Sequence, residues 1–449
     1  MKQDTICALA TPPGGAIAVV RVSGPDAITI TGSIFSKPLE KAEGYSLHFG
    51  EIKDMDDKEL DEVLVSVFRA PHSYTGEDST EISCHGSSYI VKNLLESLIW
   101  AGARQAEPGE FTMRAFMNGK LDLSQAEAVA DLISSSTQAT HQMAMSQMRG
   151  QFSQELKDLQ GQLLHLTSLL ELELDFNDRD VEFANSKELA ELMDKIEKHI
   201  KDLADSFQMG NAIKNGIPVA IIGAPNVGKS TLLNALVGEE RAIVSNIQGT
   251  TRDLIEETIQ IGGITFRFID TAGIRKTQSK LERMGIERSI EAAEKAKIIL
   301  LITDAGQPFP DLDFKNNQIV LQVINKCDIS LPSSSYLYHR LPDDRLFHIS
   351  AAKGDGMDIL RQALVKEVSL PTNLDSTHSI VTNVRHYNAL KQALKALRRA
   401  KKAFADQTPT DLVAEDLRGC LHFLGEITGS EITSDDVLKN IFANFCVGK

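Results

Sequence analysis

The spacing of apolar and polar positions changes character three times along the chain. Residues 1 to about 119 carry short β-rich runs, Ile17 to Val22 and Val63 to Phe68, punctuated by Gly and Pro. That pattern predicts an α/β domain. From Ser124 the apolar residues recur at helical spacing, and Ser124-Gln125-Ala126-Glu127 has the form of a capping box, in which the serine oxygen and the glutamate each satisfy a free backbone N–H. Helical periodicity then holds to about Met209, broken by the acidic turn Asp175 to Asp180.

Between roughly Ile217 and Leu370 short apolar runs alternate with helical segments: Pro218 to Ile222, Thr265 to Ile269, Ile298 to Ile302, Ile319 to Ile324 and Phe347 to Ile349. Continuous apolar strands between helices imply a mostly parallel sheet buried on both faces. Helical spacing returns through Val384 to Phe404, Asp411 to Ile427 and Asp435 to Phe445. The expected fold class is a multidomain α/β protein: an N-terminal α/β domain (1–119), a helical domain built from 120–213 and 379–449, and a nucleotide domain inserted at 214–378.

Composition narrows the class. A chain of 449 residues, 42% hydrophobic and 24% charged, is globular and long enough for two or three cores. A formal charge of -15 repels polyanions at long range, which argues against a surface that is basic throughout. RNA is left to a local basic patch or to a partner. The densest basic stretch, Lys395, Arg398, Arg399, Lys401 and Lys402, has the spacing of a solvated helix face. Cys7, Cys84, Cys327, Cys420 and Cys446 show no CxxC spacing, so neither zinc nor a disulfide framework is expected. The N-terminal stretch lacks the form of a secretory signal, and no apolar run approaches a membrane span, so the expected location is the cytoplasm, without a membrane partner. The final Cys446-Val447-Gly448-Lys449 is a poor prenylation box and is set aside.

Chemistry enters at Gly223-Ala224-Pro225-Asn226-Val227-Gly228-Lys229-Ser230, a GxxxxGK[ST] loop directly after an expected strand and before an expected helix. Such a loop turns backbone N–H groups onto phosphates at a helix N-terminus. Asn226, Val227, Gly228, Lys229, Ser230 and Thr231 are candidate nucleotide contacts, with Lys229 facing the β- and γ-phosphates and Ser230 ligating Mg²⁺. Asn325-Lys326-Cys327-Asp328 follows a strand end, where the Asp328 carboxylate can accept from guanine N1–H and its amine; adenine lacks that donor pair. Ser350 and Ala351 would cover the base edge. Asp270, Thr271, Ala272 and Gly273 supply a carboxylate for the Mg²⁺ shell and a glycine N–H for the γ-phosphate, and Thr251 is the expected loop hydroxyl on Mg²⁺. The expected ligands are therefore GTP and GDP. One part is missing: many GTPases place a water-orienting glutamine after Asp-x-x-Gly, and here that position is Ile274. Polar candidates follow between Thr277 and Arg288.

The ordered segments GAPNVGKS, GTTRD, DTAGI, LERMGIER and NKCD, with TPPGGAIAVVRVSGP, YTGED, PGEFTMRAFMNGKLDLSQAEAVADLI and the terminal FCVGK, resemble the MnmE (TrmE) family of tRNA-modification GTPases along essentially the whole chain. The Gly14-Gly15 stretch is shorter than that family often has.

The resemblance implies that Glu282 orients the attacking water. It implies a K⁺ held by Asn226, Ser245, Ile247 and Thr250 when two G domains meet, with Asn246, Gln248 and Gly249 completing the nucleotide loop. It further implies a dimerising N-terminal domain that binds 5-formyl- or methylene-tetrahydrofolate through Arg21, Glu81, Lys120 and Lys449. The implied activity is GTP hydrolysis coupled to C5 aminomethyl-type modification of the wobble uridine of tRNA, by a homodimer working with an FAD-dependent MnmG (GidA)-like protein. The G segments alone also fit a regulatory GTPase of ribosome assembly, or a one-carbon transferase that GTP merely regulates.

Overall fold

The computed structural model describes residues 4–175, 186–238, 257–269, 293–304, 307–309, 314, 318–329, 345–368, 379–430, 438, 441–442, 445 and 448. Two compact units emerge: Met1–Ile133 with Met145–Glu197 and Ala389–Lys449, and Ser134–Ala144 with Lys198–Asn388.

The first unit opens with strands β1 (Ile6–Leu9), β2 (Ile17–Ser23), β3 (Ser46–Lys53), β4 (Glu59–Phe68), β5 (Ser79–His85) and β6 (Arg104–Gln105), in the spatial order β3-β4-β5-β2-β1-β6. All pairs are antiparallel except β1 with β6. Helices α1 (Ala27–Ile34) and α2 (Ser88–Trp100) cover one sheet face, packing Ile30, Ile34, Leu94 and Leu98 onto Val20, Val22, Val63, Val65, Val67 and Ile82. Each such buried aliphatic contributes about 1.5–3 kcal/mol. Strand alternation sends the intervening residues to the opposite face. There Phe49 faces Leu64 across β3 and β4, and Leu47, Phe49 and Leu64 are 61%, 55% and 40% exposed. Toward β1 that face is covered by α3 (Glu110–Met117), whose Phe111 packs with Ile6, Ala8 and Ala106. The chain's one tryptophan, Trp100, ends α2 with 73% of its surface exposed.

Helix α4 (Leu123–Ser134) begins with a reciprocal cap two residues earlier than the sequence pattern indicates. Asp122 Oδ1 accepts the Gln125 N–H at 2.9 Å, and Gln125 Oε1 accepts the Asp122 N–H at 2.9 Å. The Ser124 hydroxyl is buried, donating to Asp122 and contacting the Ser153 hydroxyl. A carboxylate accepts more strongly than a hydroxyl, so Asp122 takes the cap.

Three further helices follow before the second sheet: α5 (Gln138–Met148), α6 (Gln151–Asp175) and α7 (Ser186–Asn215). Phe152, Leu156, Leu159, Leu163, Leu166 and Leu170 form a buried stripe on α6 at spacings of three and four.

In the second unit, β7 (Ile217–Ile222), β8 (Glu257–Ile261), β9 (Ile264–Phe268), β10 (Ile298–Asp304), β11 (Ile319–Asn325) and β12 (Leu346–His348) form one sheet in the order β12-β11-β10-β7-β9-β8. It is parallel except for the β8–β9 hairpin at one edge. Val219, Ile221, Leu300 and Val323 face one core, with α8 (Lys229–Val237) and α9 (Met357–Glu367), while Ala220, Ile222, Ile299 and Leu301 face another. The expected strands are thus present; β7, β10 and β11 are buried on both faces, whereas β9 alternates buried with half-buried positions and His348 of β12 is exposed. Strand β8 was not anticipated. Helices α10 (Val384–Ala405) and α11 (Thr410–Thr428) complete the order, with α11 packed along α6 through Val413, Leu417, Cys420 and Leu424 on its buried side. Among the described residues no helix is long and apolar enough to cross a membrane.

Candidate functional site

The carboxyl edge of the second sheet gathers the nucleotide residues. Strand β7 ends at Ile222 and α8 begins at Lys229, so Gly223 to Gly228 form the loop between them. Two glycines are dictated by contact. A Cβ on Gly223 would lie 2.2 Å from the Ile302 carbonyl oxygen. On Gly228, at φ +98°, it would lie 2.3 Å from Asn325 Nδ2. Asn226 is exposed at φ +65°, a strained value for a residue with a side chain. Lys229 donates to the carbonyls of Gly223 and Ala224 at 2.7 and 2.9 Å, so its ammonium lies over the loop. Burial holds its pKa below the ordinary lysine value, so a phosphate there would gain a poorly solvated cation. Ser230 lies half-buried in the first turn of α8, beside exposed Thr231, and Val227 is buried.

Asn325, 3% exposed at the end of β11, ties this loop to the base-side loop. Its Nδ2 donates to the Val227 carbonyl at 2.9 Å, and its Oδ1 accepts the Ala351 N–H at 3.0 Å. Lys326, at φ +63°, donates to the Asn226 carbonyl at 2.7 Å and lies 3.6 Å from Asp304. Asp328 accepts the Ser350 hydroxyl at 2.8 Å and pairs with Lys353 at 3.5 Å. The Ser350 hydrogen bond, with Lys353 beside it, holds the Asp328 carboxyl below the usual range, so it is an anion at neutral pH and a fixed acceptor. The structure therefore brings Asn226, Val227, Gly228, Lys229, Ser230, Asn325, Lys326, Asp328, Ser350 and Ala351 to one sheet edge. Ser245, Asn246, Ile247, Gln248, Gly249, Thr250, Thr251, Asp270, Thr271, Ala272, Gly273, Ile274 and Glu282 lie outside the described residues.

A second constellation occupies the N-terminal sheet. Arg21 and Glu81 are direct cross-strand neighbours on β2 and β5. The guanidinium meets Glu81 Oε1 through Nε at 2.9 Å and Nη2 at 2.8 Å. It also stacks on Tyr74 and Phe111, with Cζ 5.2 and 5.6 Å from the ring centroids. Lys120 is exposed and donates to the Pro71 carbonyl at 3.0 Å; its Cγ would be 3.3 Å from a Cβ on Gly76. Arg21, Glu81 and Lys120 thus all border the strand-to-strand segment that carries Tyr74. Cys446 and Lys449 are outside the described residues, but Gly448 sits against β1, where a Cβ would lie 2.1 Å from the Leu9 carbonyl oxygen.

Sequence reasoning missed the ion cluster beneath this segment. Arg114, with 9% of its side chain exposed, meets Glu110 at 3.0 Å, Asp4 at 2.7 Å and Glu77 at 3.2 Å. Arg104 pairs with Asp4 and Glu110 at 2.8 and 2.6 Å. Glu77 also accepts the Ser23 hydroxyl at 2.9 Å. Arg104 holds the Asp4 carboxyl below its ordinary range despite opposing burial. For Glu110 burial pushes upward, and the hydrogen bonds from Arg104, Arg114 and the Glu107 N–H outweigh it. Burial pushes the Cys7 and Cys84 thiols up to about 11 and Cys420 to about 12, so none of the three is a thiolate at neutral pH.

A parallel sheet with a GxxxxGKS loop at its carboxyl edge, and an anionic Asp328 fixed beside the Ser350-Ala351 turn, defines a phosphate-loop protein built to hold a guanine nucleotide. The "GTP-binding protein TrmE N-terminus" model matches residues 5–120, and the "MnmE helical domain" model matches residues 123–446. The chain is 51% identical over 468 residues to the tRNA modification GTPase MnmE of Bacteroides fragilis strain ATCC 25285, with 100% of each chain covered. It is likewise 51% identical to that of Bacteroides thetaiotaomicron strain ATCC 29148 and 49% identical to that of Flavobacterium johnsoniae strain ATCC 17061, again over 100% of each chain. A solved FeoB G-domain from Methanococcus jannaschii is 24% identical over 34% of this chain and 97% of that chain, with a TM-score of 0.22, too low to carry an argument. The chain belongs to the MnmE family of tRNA modification GTPases.

Proposed function

We propose that this protein hydrolyses GTP to drive a C5 aminomethyl-type modification of the wobble uridine of tRNA in the cytoplasm, with a tetrahydrofolate one-carbon unit and an FAD-dependent MnmG-like partner. The observation that carries the reading is the Asn325 bridge, which couples the phosphate loop to the turn beside Asp328, in a chain half identical to tRNA modification GTPases along its whole length.

Mg²⁺ would be held by Ser230 with Thr251 and would neutralise charge between the β- and γ-phosphates. The half-buried Ser230 hydroxyl in the first turn of α8 suits it. The exposed, positive-φ Asn226 suits a K⁺ ligand on the loop surface, with Ser245, Ile247 and Thr250 supplying the others. Glu282 would position water in place of Ile274. For 5-formyl- or methylene-tetrahydrofolate, Arg21 offers an oriented cation and Glu81 an acceptor on the same sheet face, with the accessible Tyr74 ring as an aromatic surface for a flat ring. Lys120 and Lys449 would meet its carboxylates. The apolar Leu47, Phe49 and Leu64 on that uncovered face support a homodimer built on the N-terminal domain (1–119), with a G domain (214–378) set between helical segments 120–213 and 379–449.

Nucleoside mass spectrometry of tRNA treated with the full chain, the FAD partner, folate donor and GTP tests the scheme. Conversion of the wobble uridine with GTP, and its loss with a non-hydrolysable analogue, is the expected result. Undiminished conversion with the analogue would reduce GTP to a regulator.

A further inference from the structure

Among the described residues, the outward ridge of α10 is a strongly basic surface that neither the nucleotide site nor the folate reading uses. Its sequence, VRHYNALKQALKALRRAKKAFA, holds seven Arg or Lys and no Asp or Glu, in a chain of formal charge -15. That concentration opposes the overall balance. Leu390, Ala393, Ala396, Leu397 and Ala400 are buried, which fixes the helix's rotation and turns Lys391, Gln392, Lys395, Arg398, Arg399 and Lys402 outward. Lys391, Lys395, Arg398, Arg399 and Lys402 line a single open depression. The spacing 391, 395, 398, 402 puts a cation on one stripe about 16 Å long at ~1.5 Å rise per residue.

Neighbouring acids anchor the two arginines and the adjoining Lys401. Arg398 donates to Glu197 at 2.8 Å and remains 53% exposed; Arg399 pairs with Asp416 at 2.8 Å and remains 56% exposed. Lys401 pairs with Asp194 and Glu197. These pairs hold the two guanidinium planes at the surface in fixed orientations, with lysines on either side.

We propose that this ridge docks the phosphate backbone of the tRNA substrate. The inference rests on the proposed tRNA activity and assigns the contact to this chain rather than leaving it wholly to a partner. Protein interfaces are depleted in Lys and enriched in aromatics, and the depression is lined by Lys, Arg and Gln with Leu394 as its one aliphatic residue and no aromatic. A lipid surface would need the helix's apolar side, and that side is buried in the fold. Lysine and arginine on a stripe suit phosphates, which position a nucleic acid without reading its sequence.

The test is the charge reversal Lys391→Glu/Lys395→Glu/Lys402→Glu in the full chain, with Lys391→Gln/Lys395→Gln/Lys402→Gln as a milder companion should the reversal fail to fold. Fluorescence anisotropy would follow labelled tRNA and a labelled polyglutamate as the non-nucleic polyanion, across a salt series, with GTP turnover measured on the same preparations. The expected result is tRNA affinity at least about tenfold weaker, a log–log salt slope shallower by about 2 to 3, and unchanged GTP turnover. Wild-type binding of tRNA that neither variant alters would overturn this inference while leaving the proposed function standing. Polyglutamate bound as tightly as tRNA, and lost in the variants, would reassign the ridge to an acidic protein. No binding of tRNA by the wild type, together with no modification in the mass-spectrometric assay, would remove both readings.

Discussion

Replacing Asn325 with Ala removes one side chain that makes two buried hydrogen bonds in opposite directions. The Val227 carbonyl loses its 2.9 Å donor and the Ala351 N–H loses its 3.0 Å acceptor. Both residues are buried, at 1% and 6% exposure. A buried polar group left without a partner costs about 1–3 kcal/mol, so two such groups cost about 2–4 kcal/mol after water reaches the more open one. That corresponds to a factor of roughly 30 to 1,000. Because the bridge joins the phosphate loop to the base-side turn, part of the loss falls on the arrangement that receives nucleotide. We expect the GDP dissociation constant to rise at least about tenfold, the remainder appearing as a lower calorimetric midpoint. Titration with a fluorescent GDP analogue and scanning calorimetry on the same protein measure the two parts. If Asn325→Ala binds GDP within twofold of the parent and melts at the same temperature, the bridge has no role in assembling the site.

Asp328→Asn should move base preference from guanine toward xanthine, since the Ser350 hydroxyl can still hydrogen-bond the amide; an unaltered guanine preference in competition binding would remove Asp328 from base recognition. Arg114→Met should destabilise the N-terminal domain by about 3 kcal/mol, because buried Glu110 and half-buried Glu77 lose a cation, and denaturant unfolding would show it. Asp4 and Glu110 are depressed below their ordinary values of 3.8 and 4.5, so their stabilisation is present above those values and is lost as pH falls through the lower, folded-state ones. Acid unfolding followed by circular dichroism should therefore be shallower in Arg114→Met, and an identical acid limb would contradict that origin. Glu282→Ala should abolish GTP turnover while leaving GTP affinity nearly intact, and exchanging K⁺ for Na⁺ should slow the parent steeply; equal rates in the two salts would dispose of the potassium scheme.

Much of this was legible where function is written in consecutive residues. GAPNVGKS and NKCD declare their chemistry locally, and two-sided burial of β7, β10 and β11 follows from their unbroken apolar runs. Pairing across the fold was not legible. Arg21 and Glu81 read as separate ligand-facing charges, whereas strand register makes them partners. Asp4, Glu77, Arg104, Glu110 and Arg114 come together only after the sheet closes, from positions as far as 110 residues apart. The cap of α4 was misplaced for a smaller reason: two acceptors, Asp122 and Ser124, compete within one turn, and the ionised one wins.

The solvent-exposed indole at the end of α2 decides how this molecule can be watched. Trp100 already meets water when folded, so its emission changes little as the chain melts, and it resides in the unit without the nucleotide edge. An intrinsic-fluorescence trace would pass silently over collapse of the phosphate loop. Placing a tryptophan at Phe266 or Phe268, both within the second unit's core, would give that unit a voice of its own.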